Sequence, residues 1–412
     1  MAEHPSSITT VFLDQPPSCL QFCPSAPNSF IVGTYLLSEH QDDEGKAQQS
    51  KTGSLQLWRL DEDKNTLSLI NRVSLPYAVF DLHFHPTDPS LLAIATSAGS
   101  VALFRVSGPT PTEVTHVWTR PAHNDSSVPA LFLAWTPQHW LTHDQTDGFA
   151  VTFSDGTTSV FKSGEGTTVE EKWGNELKEL GSFPAKQAIE VWFVALAAVP
   201  DESQSQSSLT PFLFTGNDFG SLHTRRFETT TSERLESEPT ELLSPVLLDH
   251  DDRARHHTAG VTAILPLPIP LVGGAPWLLT GSYDEYLRVY HATRTGQVLA
   301  EVGLGGGVWR LQMLRTEHEP IDGRDRWTFL VLASCMHAGT RVVRVTGHIE
   351  DSHSQWDVEV LAEFTEHESM NYASDVWKPN GGYDLQGQKI SELLCVSSSF
   401  YDRRVCLWRA RT

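Results

Sequence analysis

Along the chain, short runs of alternating apolar and polar residues are separated by glycine or charged turns. That two-residue period predicts β-strands rather than helices. Seven times, two such runs follow one another across a tight turn: "GSLQLWRL" at 53–60, "LLAIATSAGSVALFRV" at 91–106, "FAVTFSDGTTSVFKS" at 149–163, "FLFTGNDFGSLHTRRF" at 212–227, "LLTGSYDEYLRVYHA" at 278–292, "LVLASCMHAGTRVVRV" at 330–345 and "LLCVSSSFYDRRVCLWRA" at 393–410. A further strand stands before six of these hairpins, as "AVFDLHFHP", "ALFLAWTP", "EVWFVALA", "GVTAILPLP", "GVWRLQML" and "ASDVWKP". Before the first hairpin, "QFCP" occupies the place of "HFHP" and "AWTP", which fixes the phase of the repeat.

Seven repeats of one supersecondary unit predict an all-β fold, a seven-bladed β-propeller spanning residues 1–412 as a single domain. The segment "SITTVFLD" at 7–14 is then a spare strand, expected to pair beside the C-terminal strand and close the ring. The repeats are longer than usual, and the excess falls in polar insertions near 38–52, 162–188, 201–208, 228–256, 315–327 and 378–388. These have no apolar periodicity and are expected as loops, with "EEKWGNELKEL" forming a short surface helix.

Composition narrows the function classes. A net charge of -21, with no Lys/Arg cluster, argues against a surface that tracks phosphates and favours basic partners. Five scattered cysteines without a CxxC read as reduced thiols. "MAEHPSSITT" is neither basic nor apolar, and no run approaches eighteen apolar residues, so a soluble cytoplasmic protein without membrane contact is expected.

The strand ends "LQLWRL" and "VCLWRA" resemble WD repeats, and "HTAGV" followed by "LLTGSYDEYLRVY" matches that pattern with Tyr290 in place of Trp. The fold is accordingly identified as a WD40-type propeller. By this resemblance His257 with Asp284, and His367 with Asp402, are hydrogen-bonded structural locks within their blades rather than chemistry. More specifically, "LLTGSYDEYLRVYHATRTGQVLAEVGLGGGVWRL", "VLASCMHAG", "HESMNYASDVW" and "SSSFYDRRVCLW" resemble the WD-repeat diphthine methyl ester hydrolases of diphthamide biosynthesis, with "TGNDFGSL" a weaker match. The resemblance covers roughly residues 213–408. It implies removal of a methyl ester from the methylated diphthine intermediate on translation elongation factor 2, leaving a carboxylate for later amidation. Elongation factor 2 is then the partner, with other diphthamide biosynthesis proteins as further partners.

The residues themselves offer no G-x-S-x-G elbow, H-E-x-x-H or glycine-rich nucleotide loop, so no metal or cofactor is expected. Ester hydrolysis needs only a base for water and donors for the oxyanion. Alignment of the inner strands sets Asp81, Arg310 and Asp375 at one level of the channel, where other blades carry Leu133, Phe193 or Ala263. Charged groups there face water, one another as a salt-bridge network, or a ligand. His83 shares the parity of Asp81 and is a candidate proton acceptor or a structural histidine. Gly305, Gly306 and Gly307 let the chain pass close to its neighbours, presenting Trp309 and Arg310 at the channel mouth or placing Trp309 between blades.

His337 stands where Asp284 stands in the preceding blade. With Arg310 and His83 it makes up the candidate catalytic set. For the trimethylammonium of the family's substrate, Trp309 and Tyr372 offer aromatic faces, and Asp375 and Asp81 offer negative charge. A non-enzymatic scaffold holding protein partners on the same ring is the alternative. A ubiquitin-ligase adaptor fits less well, because "VYHATR" departs from the Trp-Asp-x-Arg ending of that docking mode.

Overall fold

The structure is a computed structural model that describes residues 2–41, 47–138, 140, 147–164, 166–174, 176–201, 208–227, 246–321, 324–350 and 353–412. Among the described residues, twenty-nine strands form seven antiparallel sheets, six of four strands and one of five, set out as the blades of a β-propeller. Blade inner strands are Pro17–Cys23, Val79–Phe84, Ala130–Trp135, Val191–Asp201, Val261–Pro266, Arg310–Ile321 and Ala373–Val376. Ser7–Phe12 pairs antiparallel with Arg404–Arg411 as the outermost strand of the seventh blade, so the first and last strands of the chain share one sheet.

Burial follows position in the blade. Second strands such as Leu91–Thr96 and Trp277–Ser282 are buried at every residue, because neighbouring blades cover both faces. Outer strands such as His353–Phe364 alternate or lie open. Second strands therefore read as unbroken apolar runs and outer strands do not.

That difference corrects the loop expectation for several polar insertions. Residues 38–52 lie largely in a hairpin of Leu36–Gln41 against Ala47–Asp61, a ladder that overhangs the blade. Of the insertion at 315–327, residues 315–321 and 324–327 lie in the paired strands Arg310–Ile321 and Arg324–Ser334. Within 162–188 stand a five-residue helix, Val169–Trp173, and an outer strand, Lys178–Pro184; within 228–256 stands the outer strand Val246–Asp251. Solvent bathes such strands on much of their surface, so they carry no apolar stripe. The bulk of the insertions near 201–208 and 228–256, residues 202–207 and 228–245, lies outside the described residues.

The insertion at 378–388 is a strap across one end of the channel. It leaves blade seven, where Gly382 N–H donates to Pro24 O of blade one at 2.8 Å and the Tyr383 hydroxyl donates to His85 O of blade two. Leu385 N–H donates to Leu314 O of blade six at 2.7 Å.

Candidate functional site

The site is built from the levels of the inner strands. In five blades the ladder to the second strand slips once near its start, and the next residue turns toward the channel: Cys19, Asp81, Phe132, Phe193 and Ala263. In blade six Arg310 pairs with Ser334, three residues before His337, as Gly281 stands three before Asp284 and pairs with Ala263. In blade seven the same level is held by Ala373. His257 Nε2 contacts Thr280 Oγ1 at 2.9 Å, and Gly281 follows; His367 Nε2 contacts Ser397 Oγ at 2.8 Å, and Ser398, partner of Ala373, follows.

Asp375 is thus not level with Asp81 and Arg310, as the sequence alignment had it. It lies two residues deeper, beside Gln312 and level with His83. Blade three likewise offers Phe132 rather than Leu133. The levels follow the pairing register of each inner strand, which the sequence does not display; the ladder of blade seven runs without a slip from Ala373, whereas that of blade three slips between Ala130 and Phe132.

A cavity of about 230 Å³ occupies the channel, lined by Cys19, Asp81, His83, Phe132, Phe193, Arg310, Gln312, Tyr372 and Asp375, with Tyr383 of the strap at the far end. His83 Nε2 lies 2.8 Å from Asp81 Oδ2. Nε2 is buried and has no hydrogen-bond partner of good geometry, so the carboxylate is close to the ring nitrogen but not aligned with it. Asp81 is 4% exposed, while about a third of the His83 side chain is open, leaving Nδ1 as the nitrogen available to a ligand.

Arg310 comes to the same cavity from blade six, and its guanidinium is packed by rings. It lies 4.4 Å from the Trp309 centroid, 4.7 Å from Phe132 and 5.5 Å from Phe193. Nη1 donates to Thr262 O at 3.1 Å and Trp309 O at 2.9 Å, which leaves the other edge of the fork toward the cavity. Burial lowers its pKa, Asp81 opposes that, and a guanidinium starting so far above neutrality stays charged.

Trp309 already has a cation over its ring, that of Arg310, and Tyr283 stacks on it at 6.0 Å. Its faces are therefore taken, a correction to its expected role toward a substrate ammonium. Tyr372 lines the cavity, contacts Trp309 at 5.1 Å, and burial pushes its phenol up to about 12.

Asp375 is 1% exposed and fully engaged. Its carboxylate accepts from Lys378 Nζ at 2.6 Å, Phe22 N–H at 2.7 Å and Gln312 Nε2 at 2.8 Å, and Lys378 is itself 2% exposed. The charge is neutralised inside the protein, so Asp375 braces the channel wall instead of attracting a cation.

His337 sits exposed on the turn 335–339 outside the cavity, which removes it from the catalytic set. The glycines before Trp309 answer to packing: a Cβ on Gly306 would meet Cys335 O at 2.3 Å, and one on Gly307 would meet Met336 Sδ at 2.6 Å.

The two expected locks are structural networks, but in neither does the aspartate bond its histidine. Asp284 accepts from Thr258 N–H and Arg288. Asp402 accepts from Ser369 Oγ at 2.6 Å, while Ser397 joins His367 to Trp408. Burial pushes His257 down to about 3 and His367 to about 4. Sequence reasoning placed Phe193 at the channel level but passed over Phe132, on which it stacks at 4.0 Å, since core phenylalanines look alike in a strand pattern.

Fold and site together define a seven-bladed WD40-type propeller with a charged cavity inside its channel. No protein-family model matches the chain. It is 25% identical over 405 residues to the diphthine methyltransferase of Schizosaccharomyces pombe, covering 97% of this chain and 96% of that protein. It is 26% identical over 368 residues to the diphthine methyltransferase of Mus musculus, covering 86% of this chain and 66% of that one. The chain is a relative of the proteins of that name, the diphthamide-biosynthesis family that its strings resemble, although the name says methyltransferase where the resemblance implied a methyl ester hydrolase. A chain in a crystal structure of the mitotic checkpoint complex superposes with a TM-score of 0.55 at 13% identity, covering 99% of this chain and 92% of that chain, a likeness of fold alone. Among the described residues, no helix is long and apolar enough to cross a membrane.

Proposed function

We propose that the protein acts in diphthamide biosynthesis as a carboxylic-ester hydrolase, removing the methyl ester of the methylated diphthine intermediate on elongation factor 2. The observation that carries this reading is the convergence of His83, Asp81 and Arg310 on one cavity inside a chain related to the diphthine methyltransferases.

The chemistry follows from the groups present. Water attacks the ester carbonyl while His83 accepts its proton at Nδ1, and the Asp81 carboxylate stabilises the imidazolium at Nε2. The free edge of Arg310 donates to the carbonyl oxygen as negative charge gathers there. Collapse of the tetrahedral adduct breaks the acyl–oxygen bond, and His83 returns the proton to the leaving methoxide, giving methanol and a carboxylate.

Water is the nucleophile because the alternatives are held. Burial and the neighbouring Asp81 raise the Cys19 thiol well above its ordinary pKa, and Ser18 Oγ donates to Val79 O at 2.6 Å. The substrate ammonium is assigned to the Tyr372 ring, with Asp81 supplying charge nearby.

The test is to incubate the purified protein with methylated elongation factor 2 and read the intact mass. Loss of one methyl ester supports the reading. An unchanged mass, or gain of a methyl group, overturns it.

A further inference from the structure

The cavity has one usable mouth. The strap from blade seven, anchored on blades one, two and six, covers the end where the inner strands run out, and Tyr383 forms part of the cavity floor. Lys378, buried against Asp375 at 2.6 Å, fixes the root of that strap.

At the opposite end, where the inner strands begin, the turns carry aromatic residues from several blades. Tyr372 meets Phe400 at 5.5 Å, Phe400 lies 6.2 Å from Tyr35, and Tyr35 continues to Phe80 at 5.3 Å. On the same face Tyr401 is 68% exposed and Phe219 54% exposed, two of the most open large apolar side chains among the described residues.

This rim is also acidic. The connections into the inner strands and the turns between second and third strands (13–16, 35, 76–78, 97–99, 122–129, 154–156, 185–190, 218–221, 252–260, 283–285, 304–309, 335–339, 365–372 and 400–403) hold eleven Asp or Glu against four Lys or Arg. Asp14, Asp284, Glu368 and Asp402 pair with Arg72, Arg288 or Arg404 of the adjoining strands, and the acids that remain still exceed the bases on the rim. Aromatic side chains on a rim with an excess of acid are the makings of a protein interface, and that excess selects a basic partner.

We infer that this face is the docking surface for a folded protein with a basic, protruding loop, which offers one modified side chain to the cavity while its surface rests on Phe219 and Tyr401. The inference builds on the proposed function, but its geometry does not depend on turnover. A cavity of about 230 Å³ closed at its far end admits a side chain and excludes threading of a polypeptide.

The experiment measures binding of methylated elongation factor 2 to immobilised protein carrying His83→Ala, so that no turnover intervenes. A double variant, Phe219→Ala with Tyr401→Ala, is expected to weaken binding about ten-fold or more with an unchanged melting temperature, and raised salt is expected to weaken it further. Ile321→Ala, an exposed position at the opposite end, is expected to bind as the parent does. Parent-like binding by the double variant, or weakening by Ile321→Ala alone, overturns the assignment of the face. Face-specific binding without ester loss by the wild-type protein would retire the hydrolase reading and leave this one standing.

Discussion

Asp81 and His83 leave the same inner strand two residues apart and meet within one cavity, carboxylate to imidazole at 2.8 Å. A strand normally sends such neighbours to one side at different depths. Here the carboxylate takes Nε2 and leaves Nδ1 for a ligand. If this pair moves the proton, His83→Ala should lower kcat by roughly 10²- to 10⁴-fold. Asp81→Asn should lower it less. Circular dichroism melts of both variants separate loss of chemistry from loss of fold.

Arg310 tests the oxyanion role. Its planar guanidinium is sandwiched by rings, a geometry that an ammonium cannot reproduce. Arg310→Lys should therefore lose nearly as much turnover as Arg310→Ala, at least about ten-fold in steady-state kinetics. His337→Ala, altering an exposed turn, should match wild type.

Much of the fold was legible, because second strands sandwiched between blades keep unbroken apolar runs and the turns between them recur. The overhanging strands were not: Leu36–Gln41 and Arg324–Ser334 have strings polar enough to read as loops in part. For the site, Asp81, His83, Arg310 and Tyr372 stood out as polar or aromatic residues at channel positions. Asp375 misled because its partner Lys378 lies after the strand and its level is set by the pairing register, Asp375 against Val396, which the sequence does not display.

The Asp375–Lys378 pair is a stability element. Removing one partner leaves a buried charge, so Asp375→Asn and Lys378→Met should each cost about 3 to 5 kcal/mol in denaturant unfolding. A Michaelis constant raised by Asp375→Asn without any loss of stability would contradict the bracing role.

Tyr372 separates ring from hydroxyl. Tyr372→Phe keeps the cavity-lining face and should be tolerated, whereas Tyr372→Ala should raise the Michaelis constant several-fold, since a good aromatic contact to a cation is worth roughly 0.5 to 2 kcal/mol. Equal constants for all three proteins would place the ammonium elsewhere.

Stability should fall in acid for a specific reason. His257 and His367 are held neutral by burial, with pKa values near 3 and 4 against about 6.5 when unfolded. Because the unfolded chain binds these protons first, the contribution is complete above pH ~6.5 and is lost as pH falls toward those folded values, each histidine adding a slope of about 1.4 kcal/mol per pH unit within its window. Unfolding free energies measured from neutral pH downward, with His257→Gln as comparison, read that slope. Identical slopes for wild type and variant would rule out His257 as its source.

The central claim, attack of water on the ester carbonyl within the channel, is tested most directly by running the reaction in heavy-oxygen water. Cleavage of the acyl–oxygen bond places one heavy oxygen in the new carboxylate of elongation factor 2, read by mass spectrometry of the modified peptide, and the His83→Ala protein should leave that peptide esterified. Heavy oxygen appearing in methanol instead, or a methylated peptide unchanged by the wild-type protein, would contradict the account.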